Sequence, residues 1–213
     1  MKTYNKVIAA VVAGIVCSAV TSQAALTTLT PGNIGGAAAT GYTEAGTQLT
    51  TTGPIAYTFG ATSEDTGFVT TTVYNNDANN TVGGLSGLVF LYTVQITGGD
   101  ITGMSLNGAW LGTIGIASVT GSFQNIGNYN YKANGASINL GWAGGSVGTL
   151  QFVIDTSATA WEGSIASLQD SAPDGSVNIL SPVPEPATIA AGALMLLPLG
   201  IGAVRSLRKE RTA

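Results

Sequence analysis

Apolar residues recurring at every second position constrain this chain more than any other feature of its sequence. Leu88, Phe90, Tyr92, Val94 and Ile96 fall on one side of an extended segment, opposed by Val89, Leu91, Thr93 and Gln95. Successive side chains of a strand point to opposite faces, so this spacing gathers the apolar set on one side. A helix would scatter it around its circumference. Because the second face also begins apolar, the segment reads as a central strand partly covered on both sides. The same alternation sets Val69, Thr71 and Val73 against Phe68, Thr70, Thr72 and Tyr74. It returns in Ile138, Leu140 and Trp142, in Leu150, Phe152 and Ile154, and in Val177 with Ile179. No stretch between the terminal apolar runs sustains a helical period.

Turn signals separate these segments: Asn75-Asn76-Asp77, Gly83-Gly84, Gly98-Gly99-Asp100, Gly144-Gly145 and Pro173-Asp174-Gly175. Glycine and asparagine reach the positive φ of tight turns at little cost. About eight to ten short strands at this spacing predict an all-β fold, an antiparallel β-sandwich of jelly-roll-like topology. Residues 25–53, rich in Thr, Gly and Ala, read either as an edge strand with loops or as a flexible arm. No regular repeat marks a solenoid.

The two ends are different in kind. Lys2 and Lys6 precede an uncharged run from Val7 to Val20, and Ser22-Gln23-Ala24 places small residues where a signal peptidase reads. Residues 1–24 are therefore expected to be a signal peptide with a helical core, leaving an ectodomain over 25–181. Cys17 invites a lipoprotein reading, but Val16 stands before it where a small residue is needed. At the other end, Val183-Pro184-Glu185-Pro186-Ala187-Thr188 leads into an apolar run over 189–204, followed by Arg205, Arg208, Lys209 and Arg211. Counted from Ala187, 18 residues of helix span about 27 Å, just enough for a hydrocarbon core. The basic cluster is expected to stay cytoplasmic, which puts the ectodomain outside the inner membrane. An ordinary tail anchor is the simpler alternative.

Motif, short span and basic tail in this order resemble the PEP-CTERM sorting signal of exported bacterial proteins, here over 182–213. The resemblance implies that signal peptidase and an exosortase, a membrane-embedded cysteine transpeptidase, process the chain. Val183, Pro184, Glu185 and Pro186 would be the sorting motif, Arg205, Arg208, Lys209 and Arg211 the cytoplasmic stop signal, and 189–204 a transient inner-membrane span. The mature protein would then reside at the cell surface or in an extracellular, exopolysaccharide-rich or biofilm matrix. The ectodomain layout is also similar to that of many such proteins, in Val73-Tyr74-Asn75-Asn76, the strand over 88–95 and the segment 154–159. That likeness bears on the fold and not on chemistry.

Composition removes whole classes of function. Residues 25–181 contain neither cysteine nor histidine, which excludes disulfides, cysteine nucleophiles, Ser-His-Asp triads and histidine-ligated metals. One lysine, Lys132, faces nine carboxylates there, a net charge of −8. Nucleic acid and anionic lipid need clustered Lys and Arg, so neither is an expected partner. Only 8% of the chain is charged, against about 25% in typical domains. Hydroxyls and amides must therefore supply most of the wet surface.

No residue is assigned a catalytic, cofactor-binding or metal-binding role, and no cofactor is expected. Carboxylate pairs are the only acid/base chemistry open to the ectodomain, and nothing local singles out two among Glu44, Glu64, Asp65 and Glu162. The scattered acids read as solvated. Asp77-Ala78-Asn79-Asn80-Thr81 hints at a calcium loop, but Val82 and Leu88 stand where an EF-hand requires Gly and Glu, and an Asx-stabilised turn fits better. Trp110, Trp142 and Trp161 are candidate sugar-stacking rings, although Trp142 shares the core face of Ile138 and Leu140. Tyr129 and Tyr131, two apart on one strand face, are the candidate glycan contacts. The expected function is that of a structural surface or matrix protein. The alternative is a glycan-binding β-sandwich module, with or without calcium.

Overall fold

The structure, a computed structural model, describes residues 26–60, 64–110, 112–143, 147–170 and 175–183. The expected signal peptide, the proline motif from Pro184, the apolar span and the basic tail lie outside these residues. Among the described residues no helix is long and apolar enough to cross a membrane.

Alternation does what the sequence pattern implied: the described chain is all-β, with a single short 3-10 turn at Gly84–Ser86. One sheet has eight strands. Its centre is β6 (Asp65–Asn75), β7 (Val89–Gly98), β12 (Gly148–Asp155) and β9 (Ile114–Val119). Each edge consists of two short strands laid end to end. β1 (Thr27–Leu29) and β3 (Ala39–Tyr42) share the free side of β9, and β4 (Thr47–Thr51) and β5 (Ile55–Phe59) share that of β6. Pro54, which has no amide to donate, separates β4 from β5. All pairings are antiparallel except β3 with β9.

The second sheet has six strands in the order β14 (Gly175–Pro182), β13 (Trp161–Gln169), β8 (Gly103–Asn107), β11 (Ser137–Trp142), β10 (Ile126–Tyr131) and β2 (Ile34–Gly35), all antiparallel. Hairpins β6–β7, β10–β11 and β13–β14 stay within one sheet, and the chain crosses repeatedly from one sheet to the other between them. The inward faces of both sheets form one buried cluster, with Phe90, Tyr92 and Phe152 from the larger meeting Leu106, Ile138 and Ile179 from the smaller. Phe90 meets Trp110 edge-on at 5.8 Å between ring centroids, and Tyr92 stacks on Phe152 at 5.2 Å.

β7 is central and covered on both faces, as its sequence predicts. Its second face carries Val89 into a smaller cluster with Tyr42, Ala117 and Val153, against which Leu91 packs. Residues 26–53, readable only as an edge strand or an arm, instead form four short strands distributed over both sheets.

Candidate functional site

Tyr129 and Tyr131 share one face of β10, and that face points inward. Tyr131 has no accessible surface, and its hydroxyl donates to the Gly112 carbonyl at 2.9 Å. Burial pushes its phenol up to about 12. It therefore presents no ring to a glycan, and its assignment as a glycan contact is corrected: the ring belongs to the core because its register partner is Ile138, on the inward face of β11. Tyr129 is half-buried and packs on the same core, lying over Gly35 of β2 where a Cβ would collide with its hydroxyl. Trp110 and Trp142 are buried too, with the Trp142 indole donating to the Ile101 carbonyl at 2.7 Å. Trp161 alone among the tryptophans is exposed, at 37%.

The acids are not uniformly solvated. Asp65, Asp77 and Asp155 are all buried, which corrects their reading as surface charges. They lie at opposite ends of the larger sheet. Asp65 opens β6 at the end where Gly98 closes β7, and Asp155 closes β12 opposite Val89. At the first end the Asp65 Oδ1 accepts the Asp100 amide at 3.0 Å. Burial raises the Asp65 carboxyl, opposed by that amide and reinforced by the charges of Asp170, Glu64 and Asp100.

At the other end the loop after β6 behaves as an Asx-stabilised turn. Asp77 Oδ1 accepts the Asn79 amide at 2.8 Å, and Asn80 Oδ1 accepts those of Val82 and Gly83 at 3.1 and 2.8 Å. The Asn80 side-chain amide ties the loop to β12 through the Thr156 carbonyl at 3.1 Å. Beneath it lies a constellation with no signal in the sequence. The Tyr42 hydroxyl donates to Asp77 Oδ2 at 2.8 Å and sits 3.4 Å from Asp155 Oδ1. Asp155 Oδ2 is buried with no hydrogen-bond partner among the described residues. Burial, and then the charge of Asp77, pushes the Asp155 carboxyl up to about 8, against the lowering effect of the Tyr42 hydroxyl and the Thr81 amide. Burial and the charge of Asp155 likewise hold the Tyr42 phenol far above its ordinary range, so it remains a donor. This is a buried acid whose protonated form is favoured, bridged to a second acid by a phenol. It holds a proton between three segments distant in sequence. Among the described residues no group of three or more acidic side chains is placed to hold a metal ion.

No protein-family model, curated protein or solved structure matches this chain. Its function is therefore argued from the residues themselves.

With three acids inside and the other described ones at sheet ends and loops, the outer faces of the two sheets are left largely to hydroxyls and amides. On the larger sheet Gln151 donates to the Thr93 hydroxyl at 3.1 Å, and Thr72 bonds Thr51 at 3.2 Å. On the smaller, the Ser105 hydroxyl donates to Asn139 Oδ1 at 2.7 Å. Apart from Val183, the sorting-motif and stop-signal residues fall outside the described chain. Val183 follows β14 directly, and its amide donates to the Ala160 carbonyl at 3.1 Å.

Proposed function

We propose that this is an exported, exosortase-processed surface or extracellular-matrix protein with a structural, non-enzymatic role in exopolysaccharide or biofilm material. Its ectodomain would be an antiparallel sandwich of jelly-roll-like path, released from a signal peptide near Ala24 and carried through the inner membrane on residues 189–204 until processing. The observation that supports this reading best is that the described sandwich leads directly into the proline motif. β14 pairs through Pro182 with Trp161, and the amide of Val183, the first residue of the proline motif, donates to the Ala160 carbonyl. The one carboxylate pair linked through a phenol, Asp77 and Asp155, lies buried under a loop, which suits a structural acid pair better than a catalytic one.

The test is processing in a host that carries the matching exosortase. A C-terminally tagged precursor is expected to lose its tag near residues 183–188. Replacing Pro184-Glu185-Pro186 with alanines is expected to leave the protein in the membrane fraction. Release of the alanine variant as efficient as that of wild type would refute the reading.

A further inference from the structure

We propose that the outer face of the six-stranded sheet is a docking platform for a neutral polysaccharide chain. The strand register builds it. Ser176, Ser167, Ser105, Asn139 and Asn130 stand opposite one another across β14, β13, β8, β11 and β10, and the row ends at Ile34 on β2. Alternation puts all of them outward, because their neighbours Leu168, Met104, Leu106, Ile138 and Leu140 are buried on the other side. Five inter-strand gaps of about 4.8 Å make a row about 24 Å long, enough for several sugar units. The next row is lower still: Gly103 faces Gly141, and the Asn128 side chain lies across Gly141. The Gln169 side chain likewise lies beside Gly103, so amides cover this second row as well.

Three observations choose the occupant. First, in an ectodomain with nine carboxylates, the row itself carries none: on the described strands of this sheet the one acid is Glu162, at the start of β13 with the side-chain parity of buried Ala166 and Leu168, and Lys132 lies just past β10 at a corner. Second, serine hydroxyls and asparagine amides each both donate and accept, which matches the hydroxyls of a neutral glycan and supplies no cation to a polyanion. The Ser105–Asn139 bond leaves the Asn139 amide donors available. Third, the exposed apolar groups are few: Trp161 and Ile165, on either side of Gly163 on β13, and Ile34, 75% exposed, on the opposite edge. That is too dispersed for an apolar protein partner, but an exposed indole beside Gly163 and Leu180 can stack on a sugar ring. The larger sheet offers no equal, since Tyr42, Val89, Ala117 and Val153 already form a buried cluster on its outer side.

The inference deepens the reading of an exopolysaccharide-associated protein and rests on it for the source of the glycan. Its test requires no processing, so the two can fail separately. The full chain, held in a sugar-free detergent, is titrated against amorphous cellulose, xylan and dextran as neutral probes and alginate as an anionic one. Retention by at least one neutral probe, unchanged between 50 and 500 mM salt, is expected, and alginate should not retain the protein. Trp161→Ala and the near-isosteric Asn139→Asp should each weaken binding about tenfold or more with the near-ultraviolet circular dichroism of the fold intact. Phe68→Ala, an exposed ring on the other sheet, should stay within twofold of wild type. The proposal is overturned by failure to bind all three neutral probes, or by Phe68→Ala losing as much as Trp161→Ala. It is also overturned by a concentration-dependent dimer abolished by Ile165→Asp, which would assign the face to a second copy of the chain.

Discussion

Replacing Asp155 with asparagine should make this protein more stable at alkaline pH and remove much of its pH dependence. Asp155 keeps its proton to about pH 8 in the folded state, whereas an ordinary aspartate loses it near 3.8. Between those values the native state binds more protons than the unfolded one, so stability falls as pH rises, by about 1.4 kcal/mol per pH unit. The contribution is complete below pH 4 and gone once pH passes 8. Over the whole interval it amounts to at most about 6 kcal/mol, a large part of a typical domain's stability. Burial raises Asp65 and Glu44 as well, and both add to the same slope. Asparagine keeps an oxygen for the Tyr42 side and has no charge to lose. Urea unfolding followed by the fluorescence of buried Trp110 and Trp142, at pH 5, 6, 7 and 8.5, reads the slope directly. Wild type should lose stability steadily across the series, and Asp155→Asn should be flatter and overtake it at the alkaline end. Parallel curves for the two proteins would refute the argument, because they would mean that Asp155 is charged in the fold at all four values.

Phe90→Ala should destabilise the fold by about 3–5 kcal/mol through lost burial and the cavity left between Trp110 and its neighbours, measured in the same assay at pH 6. Tyr92→Phe should cost only about 1 kcal/mol, since it removes one hydrogen bond, 2.7 Å to the Leu180 carbonyl, and keeps the ring stacked on Phe152. Gly67→Ala should be far worse than its single methyl suggests, because that Cβ would overlap the Gln95 carbonyl and the Tyr57 ring; a melting temperature within two degrees of wild type would contradict the packing. A chelator should leave the melting temperature unchanged, since the Asp77 loop is held by its own amides and by Tyr42.

The strands that proved legible are those whose apolar residues alternate over five positions or more. β7 declared both its faces and β12 its core face, because Phe90, Tyr92 and Val94, and then Phe152 and Ile154, leave no other way to bury large side chains. The first strands were illegible for the opposite reason. β1 to β4 span two to five residues each, and β2 is held by pairing with β10 rather than by any pattern of its own. Tyr131 was misplaced because an aromatic at a strand end reads equally as platform or core. Its burial follows from its register with Ile138, which only the pairing reveals. Asp155 gave no signal for a similar cause. An acid closing an apolar strand looks like a solvated terminus until Tyr42 and Asp77, contributed from far away, close over it.

The position of β14 has a consequence in time. It is the last of the described strands to be made, yet Val177 and Ile179 complete the main core and Tyr92 waits for the Leu180 carbonyl. β1 and β2, the first to emerge, pair with β9 and β10 some ninety residues later. Almost nothing can therefore lock in early, and closure of so many distant pairs is slow. If the chain is exported as proposed, it should cross the membrane extended and threadable, and it should acquire its protease resistance only when the β13–β14 hairpin joins. A chain truncated before residue 175 would expose β13 as a bare edge, and it should fail by aggregation rather than by loss of any single function.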